Sequence, residues 1–262
     1  MTPHEKFLSE CNQEVADQGA NTPLADATRQ WFNMANKAKY SYHFSWLGRP
    51  IIQYPQDIIA MQELIWEVQP DLIIETGIAH GGSLIFSASM LELNAACGGP
   101  ADARVVGVDI DIRAHNRAAI EAHPMFRRVT MIQGSSVAPE VVSQVRALAA
   151  GRKSILVCLD SNHAHEHVLA ELNAYAPLTS TGSYCVVFDT VIEKLNGDVR
   201  PDRPWGPGNN PKTAVHEYLR RLGQEERQGA DGAVLKFEID RSVQDKLLIT
   251  VAPDGYLRRL SP

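Results

Sequence analysis

The chain of 262 residues contains no apolar run near the roughly 18 residues that a membrane-spanning helix requires, so no membrane span is expected. Cysteine is sparse. Cys11, Cys97, Cys158 and Cys185 show no paired spacing, which argues against a disulfide framework or a metal knuckle. Cys158 and Cys185 lie inside apolar runs and read as small core residues. Positive charge is in deficit: 25 Lys and Arg against 31 Asp and Glu give a net charge of -6. That balance lacks the basic stripe of a nucleic-acid binder, and no nucleic-acid partner is expected. The Arg258-Arg259 pair is a local basic cluster and reads as a solvated face. The fingerprint G-x-G-x-x-G is missing, as is a phosphate loop ending in Gly-Lys-Ser/Thr, which argues against a dinucleotide oxidoreductase and a phosphate-loop nucleotidase. The N-terminus carries Glu5, Lys6 and Glu10 instead of a signal peptide's apolar core, so a cytoplasmic protein is expected.

What is present is enough apolar sequence, 44% of residues, to bury a large core. Residues 1–56 read as a largely helical extension. It includes an aromatic segment, Tyr40, Tyr42, Phe44, Trp46 and Leu47, which either packs on the main core or walls an acceptor pocket. Residues 57–262 read as the main domain. Ile58, Met61, Leu64, Ile65 and Val68 have the spacing of an amphipathic helix over 57–68, which Gln69-Pro70 stops. Strands are then predicted at 72–75, 104–109, 129–133, 155–160 and 184–189, with helices at 83–93, 114–122, 137–150 and 165–175 between them. Near-continuous Val/Ile/Leu runs alternating with helices predict a parallel sheet covered on both faces. Residues 194–212, rich in Gly, Pro, Asp and Asn, predict a long loop, and a helix is expected at 213–221. Two last strands, 234–239 and 246–251, have no predicted helix between them and are expected to pair as an antiparallel hairpin.

In such a sheet ligands bind at the carboxyl ends of the strands. Glu75 ends the first strand and precedes a turn with Gly77, Gly81, Gly82 and Ser83, where a ligand can approach the backbone closely. An acid before a turn without Lys or Arg suits a cofactor with a cationic amino group, such as S-adenosylmethionine. Asp109 ends the second strand, where a carboxylate can accept both hydrogen bonds of a ribose diol; Asp111 is the better candidate for a helix cap. Gly134-Ser135-Ser136 follows the third strand and could edge an adenine ring. Asp160 and Asp189 end the fourth and fifth strands. Neighbouring acids repel unless a hard divalent cation, magnesium or manganese, lies between them. His163, three residues beyond Asp160, is placed as a general base if the chain turns helically there. His165 and His167 read as exposed or capping residues. His163 and His167 could share a helical face, but no further ligand at fixed spacing supports a zinc site.

Several motifs together resemble the cephalosporin hydroxylase family, which also contains rhamnosyl O-methyltransferases. They are residues 75–83 (Glu-Thr-Gly, then Gly-Gly-Ser), 106–111, Leu-Asp-Ser-Asn-His at 159–163, Phe-Asp-Thr at 188–190 and residues 208–215. The resemblance covers roughly residues 40–250 and extends, more distantly, to metal-dependent O-methyltransferases of macrolide sugars. It implies methyl transfer from S-adenosylmethionine rather than hydroxylation. It implies that Glu75, Gly77, Ser83 and Asp109 contact the cofactor, that Asp160 and Asp189 bind magnesium, and that His163 is the base. One position departs: those relatives carry Glu-Asp where this chain has Phe188-Asp189, so an expected carboxylate ligand is missing. Water, Glu193 or substrate oxygens could take its place, or the metal could be absent.

The reading is an α/β protein with a Rossmann-like class I methyltransferase sheet, mostly parallel with a C-terminal antiparallel hairpin, plus the N-terminal helical extension. The expected activity is a magnesium-assisted O-methyltransferase acting on a hydroxyl of a sugar-like or natural-product small molecule. Cofactor contacts are assigned to Glu75, Gly77, Gly81, Ser83, Asp109, Ser135 and Ser136, the metal to Asp160 and Asp189, and catalysis to His163 and Asp160. Residues 194–212, with Trp205, Asn209 and Asn210, are the candidate lid. A homo-oligomer is expected. The alternative is a catalytically weak or inactive cofactor-binding partner protein of a biosynthetic pathway.

Overall fold

The structure, a computed structural model, describes residues 1–195 and 202–261. Two helices lead the chain, α1 (Pro3–Gly19) and α2 (Thr22–Lys37). Thr2 and Glu5 form a capping box at the start of α1, and the Asn21 side chain accepts from Leu24 N–H at the start of α2. A short antiparallel hairpin follows, β1 (Phe44–Trp46) and β2 (Arg49–Ile51), and then α3 (Pro55–Val68), stopped as its sequence predicts by Gln69 in a left-handed conformation.

The central sheet contains β3 (Leu72–Thr76), β4 (Arg104–Asp109), β5 (Val129–Gln133), β6 (Ile155–Leu159), β7 (Tyr184–Val187), β8 (Phe237–Ile239) and β9 (Tyr256–Arg259). Its order is β5-β4-β3-β6-β7-β9-β8; the first five are parallel, and β9 runs antiparallel to both β7 and β8. The parallel strands are joined by α4 (Gly82–Ala96), α5 (Ala114–Glu121), α6 (Pro139–Ala149) and α7 (His165–Tyr175). Strands β3 and β6 bury every residue, as helices on both sides require. One core layer holds Ile73, Val105, Leu156 and Val186 with residues of α3 and α4. The other holds Ile74, Val106, Val157 and Val187 with residues of α6, α7 and α8 (Pro211–Leu222). The order reverses at β3, which lies between β4 and β6, so the crevice of a doubly wound sheet opens at the C-terminal ends of β3 and β6. Among the described residues no helix is long and apolar enough to cross a membrane.

The mostly parallel sheet with its antiparallel end is the architecture predicted from sequence, but the end is built differently. The expected strand at 246–251 is not formed. Asp240 accepts from Ser242 N–H and starts a helix, α9 (Arg241–Leu247), between the last two strands. The apolar residues that follow are instead claimed by α3: Asp57 accepts from Val251 N–H at 3.0 Å, from Thr250 Oγ1 and from Tyr256 OH. The closing strand, β9, then inserts between β7 and β8. Of the Arg258-Arg259 pair only Arg258 is partly solvated, and Arg259 is not. Arg259 is 1% exposed, and its guanidinium donates to Asp231 Oδ1 at 2.7 Å and to the Thr179 carbonyl. Asp111 caps nothing either: Arg113 precedes α5 without a side-chain cap, and Asp111 N–H donates to Asp109. Cys158 and Cys185 are buried core residues as predicted.

Candidate functional site

The turn after β3 is shaped by glycines that no other residue replaces. Gly77 has φ +91, and a Cβ on it would lie 2.1 Å from the Asp160 carbonyl oxygen. At Gly82 a Cβ would lie 2.2 Å from the Pro50 carbonyl oxygen, so the β1–β2 hairpin presses directly onto the start of α4. Glu75, 4% exposed, accepts from the Ser83 hydroxyl; burial pushes its carboxyl up to about 7, with that hydrogen bond opposing. Asp109 is half-buried. Its Oδ2 accepts from Ile78 N–H at 2.8 Å and Ala79 N–H at 3.2 Å, so it pins the glycine turn. Of the two serines after β5, Ser136 is buried and sits 3.1 Å from His167 Nε2, while the Ser135 carbonyl accepts from Ala138 N–H.

Strands β6 and β7 end one and two residues short of their acids, which places both carboxylates past the sheet edge. Asp189 takes a left-handed conformation, φ +58, one that Asp tolerates better than most residues, and turns the chain out of β7. Its Oδ2 lies 3.1 Å from His163 Nε2. Ligand atoms of Asp160, His163 and Asp189 all fall within 4.8 Å of one another. Burial, then the charges of Asp189, Glu75, Glu171 and Asp57, push the Asp160 carboxyl well above the usual carboxylate range. A cavity of about 480 Å³ joins the glycine turn to these groups, and Gly77, Asp160, His163, Asp189, Gln53 and Trp205 line it. Trp205 meets the His163 ring edge-on, centroids 4.9 Å apart, and carries the Arg203 guanidinium over its own ring at 5.1 Å.

The family model described as rhamnosyl O-methyltransferase/CmcI matches residues 38–260. The chain belongs to the rhamnosyl O-methyltransferase/CmcI family. It is 31% identical over 217 residues to a rhamnosyl O-methyltransferase of Mycobacterium leprae, covering 82% of each chain. It is 29% identical over 208 residues to that of Mycobacterium tuberculosis strain H37Rv, covering 78% of this chain and 73% of the relative. Among solved structures it is similar in fold to CmcI with Mg and SAM. There the TM-score is 0.52 at 18% identity, over 84% of this chain and 78% of CmcI. The resemblance seen in the motifs is thus a family membership, and the chain is an O-methyltransferase by descent.

Within this rhamnosyl O-methyltransferase/CmcI chain, the expected helical turn from Asp160 to His163 is not formed. His163 precedes α7, and both side chains reach the cavity from an irregular segment. His165 ties α7 to α8: its N–H donates to Asn209 Oδ1 at 3.0 Å, and Nδ1 lies 2.8 Å from Thr213 Oγ1. His167 points to Ser136, Ser161 and Glu171, so His163 and His167 do not converge on a zinc site. Phe188 is 6% exposed and packs in the core. Glu193 does not replace the missing carboxylate. It accepts from Gly208 N–H at 2.8 Å and from Asn210 Nδ2, holding the turn before α8. Residues 196–201 of the expected lid lie outside the described residues. In the aromatic segment Trp46 packs on Phe86 and donates to Ser89 Oγ, as the core-packing reading expects, and Tyr42 lines the cavity. Gln53 and the buried acids Asp57 and Glu171 were missed, because isolated polar residues in apolar segments give no sequence signal.

Proposed function

We propose that the chain is an S-adenosylmethionine-dependent, magnesium-assisted O-methyltransferase whose acceptor is a hydroxyl of a sugar-like small molecule. The convergence of Asp160, Asp189 and His163 on a cavity that also reaches the Glu75 turn carries this reading. The cofactor fits the residues present. Glu75 is a buried carboxylate opposite a glycine turn and suits an ammonium. Asp109 stands at the next strand end for the ribose diol, and Ser135 and Ser136 stand one strand further on for the adenine. A divalent cation fits as well, since the two acids converge with acidic neighbours and would repel one another without it. CmcI, similar in fold, has been solved with both Mg and SAM. The named relatives act, by their names, on rhamnosyl groups, which supports a deoxysugar hydroxyl as the acceptor here.

Asp160 and Asp189 would hold the cation, which supplies Lewis acidity that lowers the pKa of an acceptor hydroxyl. His163 takes the hydroxyl proton, and Asp189 Oδ2, 3.1 Å from its Nε2, orients the ring and stabilises the resulting imidazolium. Trp205, packed edge-on against the ring, fixes its plane. Gly77, Gly81 and Ser83 would let the cofactor's methionine end approach the backbone and Glu75 would orient its ammonium, which leaves the protein's contribution to methyl transfer one of positioning. Residues 1–56 form an extension packed on the catalytic domain, 57–262: Phe32, Ile51 and Tyr54 share a core with α3 and α4, and Tyr42, Pro50 and Gln53 line the cavity as one wall of the acceptor side.

The test is methyl transfer from labelled S-adenosylmethionine to a panel of rhamnosyl and other glycosyl acceptors beside non-sugar alcohols and phenols. Transfer to glycosyl hydroxyls supports the reading. Transfer only to phenols contradicts the substrate class, and cofactor binding without transfer to any acceptor leaves a catalytically inactive partner protein.

A further inference from the structure

The resemblance implies a carboxylate at the position where Phe188 packs in the core, and Glu193 is already engaged with the turn at 206–210. A different residue reaches the same place. Gln53 follows β2 and is 8% exposed, and it lines the cavity with Asp160, His163 and Asp189. Its Nε2 stands 3.4 Å from Asp160 Oδ2, at the long limit of a hydrogen bond. Its Oε1 is buried with no hydrogen-bond partner. A buried amide oxygen without a donor is unfavourable unless something occupies it. Turning the amide about its terminal bond exchanges the two atoms and brings the oxygen beside the carboxylate. The placement is built into the fold: the absent side chain at Gly82 lets Pro50 and Ile51 press onto α4, which delivers Gln53 to the end of β6.

We infer that Gln53 Oε1 is a third, neutral oxygen ligand of the divalent cation held by Asp160 and Asp189, in place of the carboxylate lost at Phe188. Hard divalent cations take amide carbonyl oxygens as ligands alongside carboxylates. The exchange removes one negative charge from the ligand set, so the cation binds less tightly and keeps more of its charge for the acceptor oxygen. This inference rests on the cation reading of Asp160 and Asp189.

The experiment titrates the full chain with Mn2+, following free Mn2+ by electron paramagnetic resonance. The waters on bound Mn2+ are counted from line broadening in isotopically enriched water. Gln53→Leu should weaken Mn2+ binding by about tenfold or more and add one bound water, with the affinity for S-adenosylhomocysteine kept. Gln53→Asn, which withdraws the oxygen by one methylene, should act in the same direction, and Gln53→Glu should bind Mn2+ more tightly than the wild type. Unchanged affinity in the Leu and Asn variants overturns the inference. So does weaker binding with an unchanged water count, since Gln53 would then only position Asp160. Should the Leu variant fail to fold, the Asn variant decides on both readouts. Asp160→Ala separates the two claims: if it leaves Mn2+ binding intact, the cation reading itself fails; if it abolishes binding while the Gln53 variants match the wild type, only the Gln53 ligand is lost.

Discussion

Replacing Glu75 by Gln should move stability and cofactor affinity in opposite directions. Glu75 is 4% exposed, and burial raises its carboxyl from 4.5 to about 7. A carboxyl raised in the fold favours folding below its unfolded value, and that contribution is lost as pH climbs through the folded value. A rise from 4.5 to about 7 corresponds to a loss of about 3 kcal/mol at most by pH 8. Glu75→Gln removes the buried charge, so in cofactor-free, chelated buffer its melting temperature should exceed the wild type's at pH 8 and match it near pH 4. Binding runs the other way. The ionised form pairs with the cofactor's ammonium, and its fraction grows from about one-tenth at pH 6 to about nine-tenths at pH 8 for a group titrating near 7. Calorimetry should therefore find S-adenosylhomocysteine affinity rising about tenfold over that interval in the wild type. The Gln variant should show a flat profile and bind about 2 kcal/mol more weakly at pH 8, the usual worth of a charged hydrogen bond. A wild-type affinity that is flat from pH 6 to 8, or a Gln variant that binds as tightly as the wild type, would refute the assignment of Glu75 to the ammonium.

Asp109→Ala should cost on the order of 1–3 kcal/mol of S-adenosylhomocysteine affinity by calorimetry, and part of that loss comes from freeing the Ile78 and Ala79 amides that Asp109 pins. Asp109→Asn, which keeps one acceptor oxygen, should lose less. Gly77→Ala sets a Cβ 2.1 Å from the Asp160 carbonyl oxygen, so thermal unfolding should show a large destabilisation together with loss of cofactor binding; a variant that melts and binds as the wild type would mean the turn is more plastic than its geometry implies. His163→Ala should lower turnover roughly 10²–10⁴-fold with cofactor affinity kept, and wild-type turnover with an unaltered pH profile would move the proton to another group.

The apolar runs of the five parallel strands and the glycines of the turn after β3 were legible in the sequence because they follow from local chemistry. So were Glu75, Asp109, Asp160 and Asp189, since an acid that ends an apolar run before a turn can only lie at a strand's carboxyl edge. The end of the sheet was not legible. Residues 247–251, Leu-Leu-Ile-Thr-Val, have the composition of a strand, yet a distant acid, Asp57, takes their polar groups into the core. Arg259 is a similar case, since its burial depends on Asp231 and the Thr179 carbonyl, contacts that no spacing encodes. Nor does composition distinguish the three histidines near α7. Trp205 and Asp189 single out His163, while Thr213 and Ser136 hold the other two.

The central claim is that Asp160 and Asp189 hold a cation for methyl transfer. The most direct measurement is turnover of the wild type and of Asp160→Ala on an active glycosyl acceptor, after chelation and again after adding Mg2+. The account predicts that the chelated wild type falls silent and recovers with Mg2+, while the Ala variant stays silent in both buffers yet still binds S-adenosylhomocysteine. A chelated wild type that keeps its full turnover would contradict it and leave the two acids as a proton acceptor or as structural caps.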